Sequence, residues 1–169
     1  MKSKFAILAV LATTAAPAFA AGDAAKGEAA FKQCQTCHVV VDDAGNTLAG
    51  RNSKTGPNLY GVIGRAAGSL EGFKYGESII AVGAAGYAWD EAGFVEYVQD
   101  PAAFLKAKLD DKGAKSKMSF KVKNAETAAD LYAFLAQFGA APAADAAAEG
   151  AAAEGAEAPA DGTETTTQP

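Results

Sequence analysis

Large apolar residues recur at helical spacing along this chain and almost nowhere alternate as in a strand. Leu131, Phe134, Leu135 and Phe138 follow Asn124, whose side chain can cap the first turn of a last helix. Phe94, Val95, Tyr97 and Val98 mark a middle helix that starts at Asp90 or a neighbour and stops before Pro101. Asp100-Pro101 reads as a cap followed by a proline in the first turn of a short helix. Asp23 caps a first helix that runs to about Cys34 and carries Phe31 on its apolar face. Residues 39–56 are dominated by turn signals, with Asp42-Asp43-Ala44-Gly45-Asn46, Gly50 and Gly56, and predict a loop. The pattern predicts an all-α fold of several helices and long loops.

Both ends depart from this pattern. Met1-Lys2-Ser3-Lys4 is a short positive segment, Phe5 to Thr13 is apolar, and Ala18-Phe19-Ala20 has the small-x-small form of a signal-peptide cleavage site. The apolar run is short against the ~20 residues a bilayer span needs. Residues 1–20 are therefore expected to be a signal peptide, cleaved near Ala20, that exports the chain to the periplasm. Residues 140–169 contain no aromatic, no large aliphatic and no lysine, and repeat Ala-Ala-Ala-Glu-Gly at 146–150 and 151–155. Such a composition cannot offset its ordering entropy by burial, and predicts a disordered acidic tail.

Residues 21–139 remain as one domain. The formal charge of -5 does not describe this body. Of 15 basic and 20 acidic side chains, the signal takes Lys2 and Lys4 and the tail takes six carboxylates, which leaves 13 and 14. The charges are unevenly spread. Seven lysines, Lys106, Lys108, Lys112, Lys115, Lys117, Lys121 and Lys123, face only Asp110 and Asp111 in an 18-residue stretch.

The chain has two cysteines and one histidine, and all three lie in Cys34-Gln35-Thr36-Cys37-His38. This C-x-x-C-H run is the attachment signature of c-type haem, in which two thiols bond one porphyrin and the adjacent imidazole reaches the iron. A structural zinc site needs four ligands, and three are present. The rival is a thioredoxin-like dithiol, which would need a βαβ pattern around the cysteines; none surrounds Cys34. A small domain with long loops has a modest core of its own. A buried porphyrin would supply the missing apolar mass.

Thr55-Gly56-Pro57-Asn58-Leu59-Tyr60-Gly61-Val62-Ile63-Gly64-Arg65 resembles the loop that follows the haem motif in class I cytochromes c. Gly72-Phe73-Lys74-Tyr75, the lone Trp89 and Lys117-Met118-Ser119-Phe120 follow in the order of that family. The resemblance covers 22–137 and is strongest to the cytochrome c2 group, including the Paracoccus-type cytochrome c550 proteins with their acidic, alanine-rich tails. It implies a small cytochrome c fold around one covalent haem c held by Cys34 and Cys37. His38 is the implied proximal ligand, with its second ring nitrogen fixed by the carbonyl of Pro57. Met118 is the implied sixth ligand, and it is the only methionine left once the signal is removed. The alternative for Met118 is a gap-filling packing residue. The resemblance further implies that Arg65, Tyr75 and Trp89 hold the haem propionates and that Tyr97 lies near the methionine sulfur. Gly27, Phe31 and Leu131 match positions where the first and last helices cross.

Filled axial positions imply an electron carrier and no enzyme. The implied donor is a bc1-type quinol–cytochrome c reductase. The implied acceptor is a terminal cytochrome c oxidase, another periplasmic acceptor, or a reaction centre in a phototroph. Lys115, Lys117 and Lys121 would flank the exposed haem edge and steer acidic partners. An exported chain of acidic balance without interleaved aromatic residues is not expected to bind nucleic acid. A monomer without stable membrane insertion is expected. Two other readings stay open at this point: a haem enzyme or gas sensor with Met118 off the iron, and a haem-free dithiol oxidoreductase.

Overall fold

The computed structural model describes residues 22–139, so the signal expected at 1–20 and the tail expected at 140–169 lie outside the described residues. The described chain forms five helices and one small hairpin: α1 (Ala24–Phe31), β1 (Val39–Val41), β2 (Thr47–Gly50), α2 (Glu77–Ala84), α3 (Glu91–Gln99), α4 (Pro101–Leu109) and α5 (Ala125–Leu135).

The four expected caps are present, because capping depends only on residues a few positions away. Asp23 accepts from the amides of Ala25 and Lys26, Asp90 from Gly93, Asp100 from Ala103 and Asn124 from Thr127, over 2.7–3.2 Å. Pro101 occupies the first turn of α4, where its missing N–H costs nothing.

Three local expectations change. α1 ends at Phe31, not Cys34; the chain continues in tight turns that close with His38 N donating to Cys34 O at 2.9 Å. The loop expected over 39–56 contains the antiparallel pair β1–β2, with Val39 opposite Gly50 and Val40 opposite Ala49. The β-branched run Val39-Val40-Val41 carried that signal, and the turn residues between the strands masked it. α2 was not expected at all. Gly76 supplies no side-chain cap, and Ile79, Ile80, Val82 and Gly83 are poor helix formers, so α2 owes its form to packing against α4.

α1 crosses α5 and α3 packs against both α4 and α5. Phe31 and Phe134 meet at 5.3 Å between ring centroids in the α1–α5 crossing. Asp130 is only 6% exposed, and its Oδ1 accepts the Asp23 amide at 2.7 Å, tying the start of α1 to α5. Asp130→Ala would strand that amide, so a loss of about 1–3 kcal/mol is expected in denaturant unfolding. A midpoint equal to that of the parent protein would show that the tie contributes nothing. The core is not a solid plug. Phe31, Trp89, Phe94, Val98, Leu105 and Leu131 are core residues that also line a cavity.

Candidate functional site

The cavity measures about 550 Å³, within the ~300–1,000 Å³ of small-molecule and cofactor sites, and its walls are mainly apolar. It gathers the residues singled out from sequence. Cys34, Cys37, His38, Pro57, Arg65, Tyr75, Trp89, Tyr97 and Met118 all line it.

His38 is fixed by the strand that follows it. Leu59 N donates to Val39 O at 2.9 Å, and Val39 forms a parallel bridge with Asn58. The Asn58 amide clamps β1 from the other side, accepting from Val41 N at 3.0 Å and donating to Val41 O at 2.7 Å. This register sets Pro57 beside His38, and His38 Nδ1 lies 3.0 Å from Pro57 O. Nδ1 therefore carries the proton, and Nε2 keeps its lone pair for a metal. Burial lowers the His38 pKa, against the opposing bond to Pro57, so the neutral ring is the form held. Gly56 lets the loop close: a Cβ there would stand 2.5 Å from His38 Cε1 and 2.7 Å from Nδ1.

Cys34 and Cys37 are unpaired thiols. Burial, and secondarily the neighbouring Cys37, push the Cys34 pKa up to about 11. A dithiol oxidoreductase needs the opposite, a readily formed thiolate. The apolar cavity that both cysteines share with His38 and Met118 weighs against the dithiol reading.

Arg65 and Trp89 sit together because their segments pair. Gly64 N donates to Trp89 O at 2.8 Å, Trp89 N donates to Arg65 O at 3.1 Å, and Ala66 bridges Ala88. The Arg65 guanidinium donates to Tyr60 O at 2.9 Å and Asn58 O at 3.1 Å. Burial lowers its pKa, and the Tyr75 hydroxyl beside it partly offsets that. Burial likewise raises the Tyr75 pKa, so the phenol keeps its proton as a donor. A half-buried guanidinium, a phenol and an indole lining the cavity suit carboxylates.

Met118 belongs to a loop held from several sides. Its amide donates to Ser116 Oγ at 3.0 Å, and the Tyr97 hydroxyl lies 3.5 Å from the same oxygen. Lys115 N donates to Ser78 Oγ at 3.0 Å, and Val122 N donates to Val98 O at 2.8 Å. Among the lysines expected at the rim, Lys115 and Lys117 line the cavity, while Lys121 lies outside its wall and pairs with Asp100 at 2.7 Å. Lys117 Nζ donates to Lys74 O at 2.9 Å.

Gly56, Asn58, Ser78 and Ser116 were not assigned roles from sequence. Gly56 and Asn58 flank Pro57 in the loop already recognised, and that adjacency was the available signal. Nothing local marks Ser78 or Ser116. The donor set as a whole fits a c-type haem: paired thiols, a neutral imidazole with an oriented lone pair, a thioether, and cationic and phenolic groups in one apolar cavity.

No family model matches the chain. Cytochrome c2 of Cereibacter sphaeroides is 55% identical over 139 residues, covering 81% of this chain and 96% of that protein. Cytochrome c-550 of Paracoccus denitrificans is 49% identical over 154 residues, covering 87% and 97%. The solved structure of cytochrome c2 from Rhodobacter sphaeroides, 56% identical, superposes with a TM-score of 0.69 over 72% of this chain and 99% of that one. With the cavity and its donors in place, this similarity identifies the chain as a member of the cytochrome c2 and c-550 group of class I cytochromes c, electron-transfer proteins, not enzymes, with one covalently bound haem c.

Proposed function

We propose that the chain is a periplasmic one-electron shuttle between a bc1-type quinol–cytochrome c reductase and a terminal oxidase or other periplasmic acceptor, with a reaction centre as acceptor in a phototroph. The observation that carries this reading is the convergence of Cys34, Cys37, His38 and Met118 on one apolar cavity. A bound haem c would supply the one-electron chemistry of its iron. Cys34 and Cys37 would hold the haem covalently, and His38 Nε2 and the Met118 sulfur would ligate its iron. The Pro57 carbonyl orients His38 and raises the basicity of its free nitrogen. Arg65, Tyr75 and Trp89 would hold the propionates. Tyr97 and Ser116 brace the Met118 loop. With His38 and Met118 both committed to the iron, the chain would leave no position for oxygen or peroxide, which favours electron transfer over catalysis.

An absorption spectrum of the exported holoprotein tests the ligand set. A low-spin c-type reduced spectrum, with a weak red iron–sulfur band when oxidised, is expected. A c-type spectrum without that band would take Met118 off the iron.

The lysines at the rim are the proposed docking surface. Replacing Lys115, Lys117 and Lys121 by glutamate is expected to slow reduction by the bc1-type partner about tenfold or more at low salt. The spectrum should be unchanged, which controls for the contacts of Lys117 with Lys74 and Lys121 with Asp100. An unchanged rate with an unchanged salt slope would sink the docking assignment.

A further inference from the structure

Residues 140–169 carry Asp145, Glu149, Glu154, Glu157, Asp161 and Glu164 and not one lysine or arginine. The folded body carries the complementary charge close to its cavity. Lys74, Lys112, Lys115, Lys117, Lys121 and Lys123 are all exposed. Among the described residues, only Lys121 of these six forms an ion pair, with Asp100. Lys115 and Lys117 line the cavity, and the Lys117 ammonium is held against the Lys74 carbonyl. This is a concentrated positive rim on a body whose other charges are 7 basic against 14 acidic side chains.

We propose that residues 140–169 dock on this rim in cis, with their carboxylates against Lys74, Lys115 and Lys117. They would cover the surface through which an acidic redox partner approaches. The second statement rests on the docking role proposed above for the rim.

The attachment point permits the contact. The body ends at Gly139, after Gly61 N donates to Phe138 O at 2.7 Å, and Gly139 lies against the Tyr60 ring. Tyr60 O holds Arg65, which lines the cavity, so Gly139 lies against a residue that braces the site. Thirty residues can span up to ~100 Å, against a radius of gyration of about 14 Å for a body of this size. Tethering holds the carboxylates at a roughly millimolar effective concentration. Exposed ion pairs are individually weak, so several together give an occupancy that is partial at low salt and lost with screening over ~8 Å at physiological ionic strength. The contact would therefore yield to a partner presenting more carboxylates. It would compete with adventitious anions and leave productive encounters available.

The test uses the full-length holoprotein and a variant with Asp145→Asn, Asp161→Asn and Glu149, Glu154, Glu157 and Glu164→Gln. Backbone amide shifts are compared at low and high salt, and the oxidation rate is measured with hexacyanoferrate, a small anionic oxidant. At low salt the expected shift differences concentrate at 74 and 115–121 and vanish at high salt. The variant is expected to react about two- to fourfold faster at low salt. A lack of localised shift differences overturns the contact, even with a faster rate, since net charge alone would then explain the rate. Localised differences with an unchanged rate uphold the contact and overturn instead the role of the rim in electron exchange.

Discussion

Met118→Ala is expected to lower the reduction potential by on the order of 100 mV or more, out of the ≈0.8 V range that axial ligands command. Thioether sulfur is a soft ligand that favours ferrous over ferric iron, and alanine offers nothing in its place. The ferric variant should also bind cyanide, and the reduced variant carbon monoxide, far more readily than the parent. The loop itself should survive the change. Its anchors are Lys115 N on Ser78, the Met118 amide on Ser116 and Val122 N on Val98, and none of them uses the sulfur. Potentiometric titration with optical detection reads the effect directly. A potential within about 20 mV of the parent, where 59 mV is a tenfold change in a one-electron equilibrium, would mean that Met118 is a packing residue.

Gly27→Ala is expected to destabilise the holoprotein by about 2 kcal/mol, although helix propensity alone predicts a gain of about 1 kcal/mol. Gly27 lies inside α1 where that helix crosses α5. A Cβ there would collide with the Asp130 carbonyl and stand 2.7 Å from Phe134 Cβ. Both obstacles are main-chain or Cβ atoms, which no rotamer change can move. The helices would have to separate, loosening the Phe31–Phe134 contact and the Asp23–Asp130 bond together. Phe31 and Leu131 also line the cavity, so the displacement would reach the haem pocket. Denaturant unfolding followed at the haem band measures the change. A gain in stability would show that propensity outweighs packing and that the crossing has slack.

The two variants draw on different kinds of information. The C-x-x-C-H run, the caps Asp23, Asp90, Asp100 and Asn124, and the apolar stripe of α5 were legible because each acts within a few residues of itself. The lysine-rich stretch was equally plain. Met118 was singled out by being the one methionine besides Met1 and by its resemblance to a family motif, and Gly27 by resemblance alone. α2 was invisible because its residues are poor helix formers held by contact with α4. The β1–β2 hairpin was hidden behind its own turn residues.

By itself the sequence determined the cofactor chemistry, four of the five described helix starts and the distribution of charge, since covalent motifs, caps and net charge follow from residue type and short spacing. Only the tertiary structure decided which lone pair of His38 faces the cavity, that Asn58 locks Pro57 beside it, that Arg65 and Trp89 share one paired segment, and that Ser78 and Ser116 hold the Met118 loop. Apart from the local Met118–Ser116 bond, each rests on hydrogen bonds or bridges between segments distant in the chain. Its geometry exists only once the whole core has closed around the cavity, and no local pattern of residues encodes it.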